Sequence, residues 1–272
     1  MRRGSIVRVV SIGLLAAAVA TSIAIFIPWL PENASKEGER IDFVFWFVIA
    51  ICIAVFSVVA AVTVYSVVKF RARPDDDSDG PPIHGHTRLE IAWTAVPAVL
   101  VTAIAIVSAV ALAENGKLKR DRLVVEVTAR QFAWTFAYPP EAKAREVSKD
   151  TQLCDLPPAP PNCPVSGVLR LPEGRQVELR LRALDVIHSF WVPEFRQKQD
   201  AVPSKLKVGQ VTQLPITPTR IDKYTVVCTE LCGVGHALMR APACVMEPRK
   251  FQEWIRSQQR KPQGTPEQAE CP

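Results

Sequence analysis

The segment Cys228-Thr-Glu-Leu-Cys-Gly-Val-Gly-His-Ala-Leu-Met239 places two thiols, an imidazole and a thioether within twelve residues. Thiolate and thioether are soft donors, and a soft set favours copper over hard cations. A strand running into a tight loop folds both sulfurs back onto one point, and Gly233 and Gly235 permit such a turn. Other readings compete. Cys228 and Cys232 can form a plain disulfide, as extracytoplasmic cysteines often do. Met239 can be core filler. A tetrahedral zinc site would use the cysteines, but methionine is not among the usual zinc ligands. A mononuclear blue-copper site takes two His, one Cys and an axial Met, and leaves the second thiol idle. Two coppers use every donor: Cys228 and Cys232 bridge, His188 and His236 take one metal each, and Met239 and the Glu230 backbone carbonyl complete the ends.

His188 enters this set by elimination. The chain has four histidines. His84 and His86 fall in a polar connection between two apolar stretches, on the other side of the membrane by the topology below. His188 and His236 remain, the pair that a two-metal site requires. Asp185, three residues before His188, is a candidate hydrogen-bond partner for its second ring nitrogen. It reads equally as an ordinary surface carboxylate.

Three stretches are long enough to span a bilayer, which needs about 20 apolar residues. They are Val9 to Leu30, Phe43 to Val68, and Ile91 to Ala113 with Pro97 inside. The first has a basic start and an Ala-Val-Ala run at Ala18 to Ala20, so it reads as a retained helix or a signal segment. Arg2, Arg3 and Arg8 precede the first stretch, and Lys69, Arg71 and Arg73 follow the second. Positive flanks mark the cytoplasmic side. The second and third stretches then form a hairpin with its turn in the cytoplasm, and everything after Ala113 is extracytoplasmic. The expected organisation is residues 1–30 as an N-terminal hydrophobic segment, 41–115 as a transmembrane hairpin, 120–260 as a β-domain and 261–272 as a loose polar tail.

The outer part reads as β. Leu123 to Ala129, Gln176 to Arg182, Val211 to Ile216, Lys223 to Cys228 and Ala241 to Met246 alternate or are β-branched, which suggests a sandwich or barrel. Gln176 to Arg182 alternates cleanly, as a strand with one buried face does. Pro248 to Gln259 reads as an amphipathic helix with Phe251, Trp254 and Ile255 on one side. Of seven cysteines, Cys52 lies in an apolar run and reads as a buried hydrophobe. Cys154 and Cys163 flank a Pro-rich loop and can pair locally, while Cys244 and Cys271 have no evident partner. The net charge of +6 is not gathered into a run, which gives no basis for nucleic-acid binding. No Cys-x-x-Cys-His haem attachment site is present, so no haem is expected on this chain.

The copper run resembles that of subunit II of the haem–copper cytochrome c oxidases. So do Asp185-Val-Ile-His188-Ser-Phe-Trp-Val-Pro193 and Leu89-Glu-Ile-Ala-Trp-Thr-Ala-Val-Pro97. The resemblance covers about Ile41 to Ser257. It implies a membrane-anchored all-β protein, in which a helical hairpin carries an extracytoplasmic cupredoxin-like Greek-key β-barrel with a dinuclear copper centre. It implies electrons from cytochrome c passing to haem in subunit I, which also holds the second copper site and reduces O2 with proton translocation. Subunit III and the lipid bilayer are further implied partners, in a bacterial plasma membrane. By the same resemblance Glu230 adds a carboxylate to a magnesium shared with subunit I, and Glu90 stands at the mouth of a proton path. A first-turn carboxylate favoured by the helix dipole reads Glu90 equally well. The family's Gln-Trp-aromatic-Trp patch is altered here to Gln131-Phe-Ala-Trp134. Phe132 takes the place of the electron-receiving aromatic and Trp134 keeps a second, and core packing explains both equally well. Lys198 to Ser204 carries Ser where the family has Gly. The alternatives are a two-copper subunit of a nitric oxide reductase and a membrane-anchored copper carrier.

Overall fold

The computed structural model describes residues 3–71, 82, 85–140, 154, 163–203, 211–260 and 271. His84, Ser204, most of the connection between the two hairpin stretches and the tail except Cys271 lie outside the described residues. The chain divides into a helical unit, Met1–Trp29 with Asp42–Ala111, and a β unit, Leu30–Ile41 with Leu112–Pro272.

The helical unit holds α1 (Arg3–Phe26) and most of α2 (Lys36–Lys69) and of α3 (Thr87–Asn115). All three are long and apolar enough to cross a membrane. The first stretch is thus one continuous 24-residue helix. Gly13 lets α1 approach α2 closely: a Cβ there would lie 3.5 Å from Ala61 Cβ. Cys52 corrects its expectation, because it is exposed on α2. Its neighbours on the helix surfaces, such as Val55, Phe56 and Val59, are exposed too. In a spanning helix the apolar side faces lipid as readily as protein, so apolar context does not imply a protein interior.

The β unit contains β1 (Leu123–Arg130), β2 (Ala133–Ala137), β3 (Val165–Ser166), β4 (Leu169–Pro172), β5 (Val177–Ala183), β6 (His188–Trp191), β7 (Lys198–Ala201), β8 (Thr212–Ile216), β9 (Asp222–Cys228) and β10 (Arg240–Met246). They form two five-stranded sheets, β3-β2-β1-β5-β8 and β4-β10-β9-β6-β7. One core joins them. Leu123, Val125, Val127, Leu179 and Leu181 of the first sheet pack with Leu169, Leu171, Phe190, Val226 and Val245 of the second. The bridge between Ala183 and Pro203 ties the two sheets along one side. The last helix, α4 (Pro248–Arg260), buries Phe251 against this core, with Trp254 and Ile255 beside it.

The period-two pattern of β1 and β5 selects the core face, as expected. The opposite face corrects the expectation of a single buried side, because Glu126, Glu178 and Arg180 are also buried. Glu178 accepts hydrogen bonds from Arg180 Nε at 2.9 Å, Arg122 Nε at 2.5 Å and Gln213 Nε2 at 2.5 Å. Buried charge is tolerable when so paired. Cys154 N donates to Glu126 Oε2 at 3.2 Å, which puts Cys154 at this face. Cys154 is disulfide-bonded to Cys163, and Cys244 to Cys271. The second bond ties the end of the chain to β10.

Candidate metal centre

Strand register brings the donors together. β6 pairs antiparallel with β9, setting Phe190 opposite Cys228, and Thr229 N donates to Ser189 O at 2.9 Å. That places His188 beside the end of β9. β9 and β10 form a hairpin whose last pair before the loop is Val227 with Arg240. Cys228 N donates to Met239 O at 3.2 Å, which closes the loop at its base. The remaining donors lie in that loop, with His236 opening a short 3₁₀ turn, His236–Leu238.

The sulfurs of Cys228 and Cys232 are 3.8 Å apart. A disulfide would need about 2.05 Å, so both are free thiols. Each sulfur has its own imidazole. Cys228 Sγ lies 3.9 Å from His188 Nδ1, and Cys232 Sγ lies 3.6 Å from His236 Nδ1. Each also has its own outer donor, the Glu230 carbonyl at 3.3 Å from Cys228 Sγ and Met239 Sδ at 3.8 Å from Cys232 Sγ. His188, Cys228, Cys232 and Met239 are buried, His236 is half-buried, and the side chain of Glu230 is exposed.

Electrostatics favour a cation at this point. Burial, and then the neighbouring Cys228, push the Cys232 thiol up to about 11. Two adjacent thiolates in a poorly solvated pocket repel, and a bound cation removes that cost while displacing the protons. The donor set is soft sulfur plus imidazole, including a thioether that zinc rarely uses, so the residues fit copper.

Three supports orient the donors. Asp185 Oδ1 accepts from His188 Nε2 at 2.8 Å. A carboxylate with a lowered pKa can only accept, so Nε2 carries the proton and Nδ1 presents its lone pair toward the thiols. Burial raises the Asp185 carboxyl, but hydrogen bonds from the Gln131 backbone, His188 and the Val186 backbone outweigh it and hold the value below 3.8. Gln131 Nε2 donates to Cys232 O at 2.6 Å. Phe132 lies against the glycines of the loop. A Cβ at Gly235 would sit 2.5 Å from Phe132 Cδ2, so Gly235 makes room for the ring, whereas Gly233 adopts a φ of 125° that favours glycine. Trp134 is buried and meets His188 edge-on, with ring centroids 6.1 Å apart.

Family models for cytochrome c oxidase subunit II match two long segments, the transmembrane domain at residues 20–110 and the periplasmic domain at residues 123–246. Cytochrome c oxidase subunit 2 of Synechocystis sp. is 30% identical, over 83% of this chain and 74% of the relative. The protein of the same name from Thermostichus vulcanus is 31% identical, over 85% and 78%. The chain belongs to the cytochrome c oxidase subunit II family. As a subunit II it is part of a multi-subunit haem–copper terminal oxidase. Among solved structures, the periplasmic domain of cytochrome oxidase subunit II from Bradyrhizobium japonicum aligns at a TM-score of 0.39 and 23% identity. That alignment covers 52% of this chain and 96% of the other.

In this subunit II, His188, Cys228, Glu230, Cys232, His236 and Met239 converge. Glu90 does not join them. It lies in the first turn of α3, in the helical unit, where its Oε1 accepts the His86 N–H at 2.9 Å. His86 Nδ1 accepts the Leu89 N–H at 3.3 Å. Phe132 is the exposed aromatic of the altered patch and Trp134 the buried one. Gln131 was not singled out from sequence as a contributor. Its position directly before Phe132, in the aromatic patch, was the available signal. Around half-buried His236, the apolar side chains of Leu231, Val234 and Leu238 are exposed.

Proposed function

We propose that this subunit II holds two copper ions, accepts electrons from cytochrome c and relays them to haem in subunit I, where O2 is reduced to water with proton translocation. The observation that carries this reading is the pairing of the donors. Two thiols stand 3.8 Å apart, each with its own imidazole and its own outer donor. A single metal would leave one thiol and its companions without use.

Cys228 and Cys232 would supply the thiolates, His188 and Met239 would be buried donors, and His236 would be a half-buried donor. When bound, the copper pair supplies one-electron redox chemistry spread over two metals, so little has to rearrange at either. The chain's own residues supply the rest. Asp185 holds the His188 ring in the productive tautomer, and the core excludes water behind it. Phe132, which is exposed and lies against Gly233 and Gly235, would receive the electron, with Trp134 packed beside His188. The exposed apolar rim of Leu231, Val234 and Leu238 supports a partner docking at this end. The outward carboxylate of Glu230 supports a magnesium shared with subunit I. The first-turn carboxylate of Glu90 supports the mouth of a proton path. The basic ends of α1 and α2 then face the cytoplasm of a bacterial cell, and the β unit faces outward.

The full chain loaded with copper is expected to give an electron spin resonance spectrum in which one unpaired electron couples equally to two copper nuclei. Cys232→Ser should reduce it to a single-copper pattern. A single-copper pattern from the unaltered chain would refute the two-metal reading. Oxygen consumption by the purified complex should need cytochrome c, and turnover on quinol alone would count against the assigned donor.

A further inference from the structure

A cavity of about 390 Å³ opens between α1 and α2, lined by Val7, Arg8, Ser11 and Ile12 on one helix and Tyr65, Val68 and Lys69 on the other. Its shape follows from the sequence. Where Gly13 meets Ala61 and Ser57 the two helices touch. About one turn further toward the start of α1 and the end of α2, small residues give way to long ones. Their side chains line the sides of the gap instead of filling it.

The chemistry of the lining is one-signed. Arg8 and Lys69 are both cationic, Ser11 and Tyr65 bring hydroxyls, Val7, Ile12 and Val68 are apolar, and no carboxylate lines the cavity. Among the described residues, neither cation is joined to an acid. Two cations lining one cavity with no acid among its lining residues make its potential favourable to an anion. The cavity lies at the basic ends of two spanning helices, which is the level of lipid headgroups. Long basic side chains at helix ends reach toward that level.

We propose that this cavity binds the headgroup phosphate of an anionic glycerophospholipid. Arg8 and Lys69 would hold the phosphate, Ser11 and Tyr65 would donate hydroxyl hydrogen bonds to the phosphate oxygens, and the apolar side chains would take the start of the acyl chains. Basic pockets between membrane helices on the cytoplasmic side commonly bind such headgroups. Only the choice of leaflet rests on the orientation proposed above. The binding itself does not depend on copper or on electron transfer.

The test uses the full chain in neutral detergent micelles doped with phosphatidylglycerol or phosphatidylcholine. Native mass spectrometry then counts the lipids retained. One phosphatidylglycerol per chain is expected, with phosphatidylcholine retained at least tenfold less. The double variant Arg8→Gln, Lys69→Gln should bind phosphatidylglycerol about thirtyfold more weakly. Arg3→Gln with Arg71→Gln removes the same charge outside the cavity and should change binding less than threefold. A thermal melt within a few degrees of the parent establishes that each variant is folded. If the cavity variant does not fold, Lys69→Arg and Lys69→Gln replace it, and the first should retain binding that the second loses. Equal retention of phosphatidylcholine, unchanged binding by the cavity variant, or equal loss in the outer variant would overturn the proposal. So would displacement of the lipid by millimolar inorganic phosphate, which would assign the site to the free anion.

Discussion

Replacing Asp185 with Asn is close to isosteric, yet the geometry makes it costly. Asp185 accepts three hydrogen bonds: from His188 Nε2 at 2.8 Å and Val186 N at 2.7 Å on Oδ1, and from Gln131 N at 2.6 Å on Oδ2. An asparagine offers one oxygen and one NH2. If the oxygen stays toward His188, the NH2 meets the Gln131 N–H, donor against donor. If the amide turns over, the NH2 meets His188 Nε2 and forces the ring proton onto Nδ1, the nitrogen that faces Cys228. Hydrogen bonds to a charged group are worth about 1.5–3 kcal/mol, or about ten- to 150-fold in an equilibrium constant. The first arrangement lowers the stability of the fold by that amount, read by urea unfolding. The second lowers copper affinity by about 10- to 100-fold, read by competition with a chelator. The two assays together tell the arrangements apart. An Asn variant with unchanged unfolding and with copper affinity within twofold of the parent would refute the assigned role of Asp185.

Two further perturbations test the frame around the site. Burial raises the Glu178 carboxyl, but hydrogen bonds from Arg180, Arg122 and Gln213 outweigh it, so its folded value lies below 4.5. Its stabilisation is therefore present above pH 4.5 and lost as pH falls through the depressed value. Glu178→Gln should cost about 1.5–3 kcal/mol near neutrality, and the deficit should shrink on acidification; a deficit constant from pH 7 to about 3, measured by denaturant titration, would refute the pairing. The Cys244–Cys271 bond spans 27 residues, so Cys271→Ser should cost about 3.5 kcal/mol by chain entropy in urea unfolding. No change would mean that the bond does not constrain the unfolded chain.

Much of this was legible in the residues, for local reasons. Spanning helices announce themselves by about twenty apolar residues, β5 by clean alternation and β1 by its β-branched residues. The convergence of the candidate donors was legible because residue types so specific rarely fall within twelve positions by accident. What escaped depends on distant partners. Glu178 and Arg180 look like solvent-facing charges until Arg122, 56 residues earlier than Glu178, is brought beside them. Cys271 pairs with Cys244 only because the chain returns to β10 after α4. Cys52 misled because an apolar neighbourhood means lipid in a spanning helix and protein in a barrel. Gly235 was read as a turn residue, but its backbone needs no special φ; what it supplies is space for Phe132, a residue 103 positions away.

The long-range contacts around the candidate donors converge on one short segment, the turn between β1 and β2. The Gln131 N–H binds Asp185, which holds His188. The Gln131 side chain binds the Cys232 carbonyl, and the Phe132 ring lies on Gly233 and Gly235. One turn thus braces both segments that carry the donors, one from β6 and one from the β9–β10 loop. Contacts from outside the donors' own segments restrain them against movement when the charge between them changes. That is the condition for fast electron transfer, since the barrier grows with how far ligands must move. Under the proposed function the Phe132 ring would have two roles, since it is exposed at this end and also lies against the two glycines of the loop. Removing that ring should loosen His236, the most exposed donor, before it disturbs His188, which Asp185 and the core hold independently.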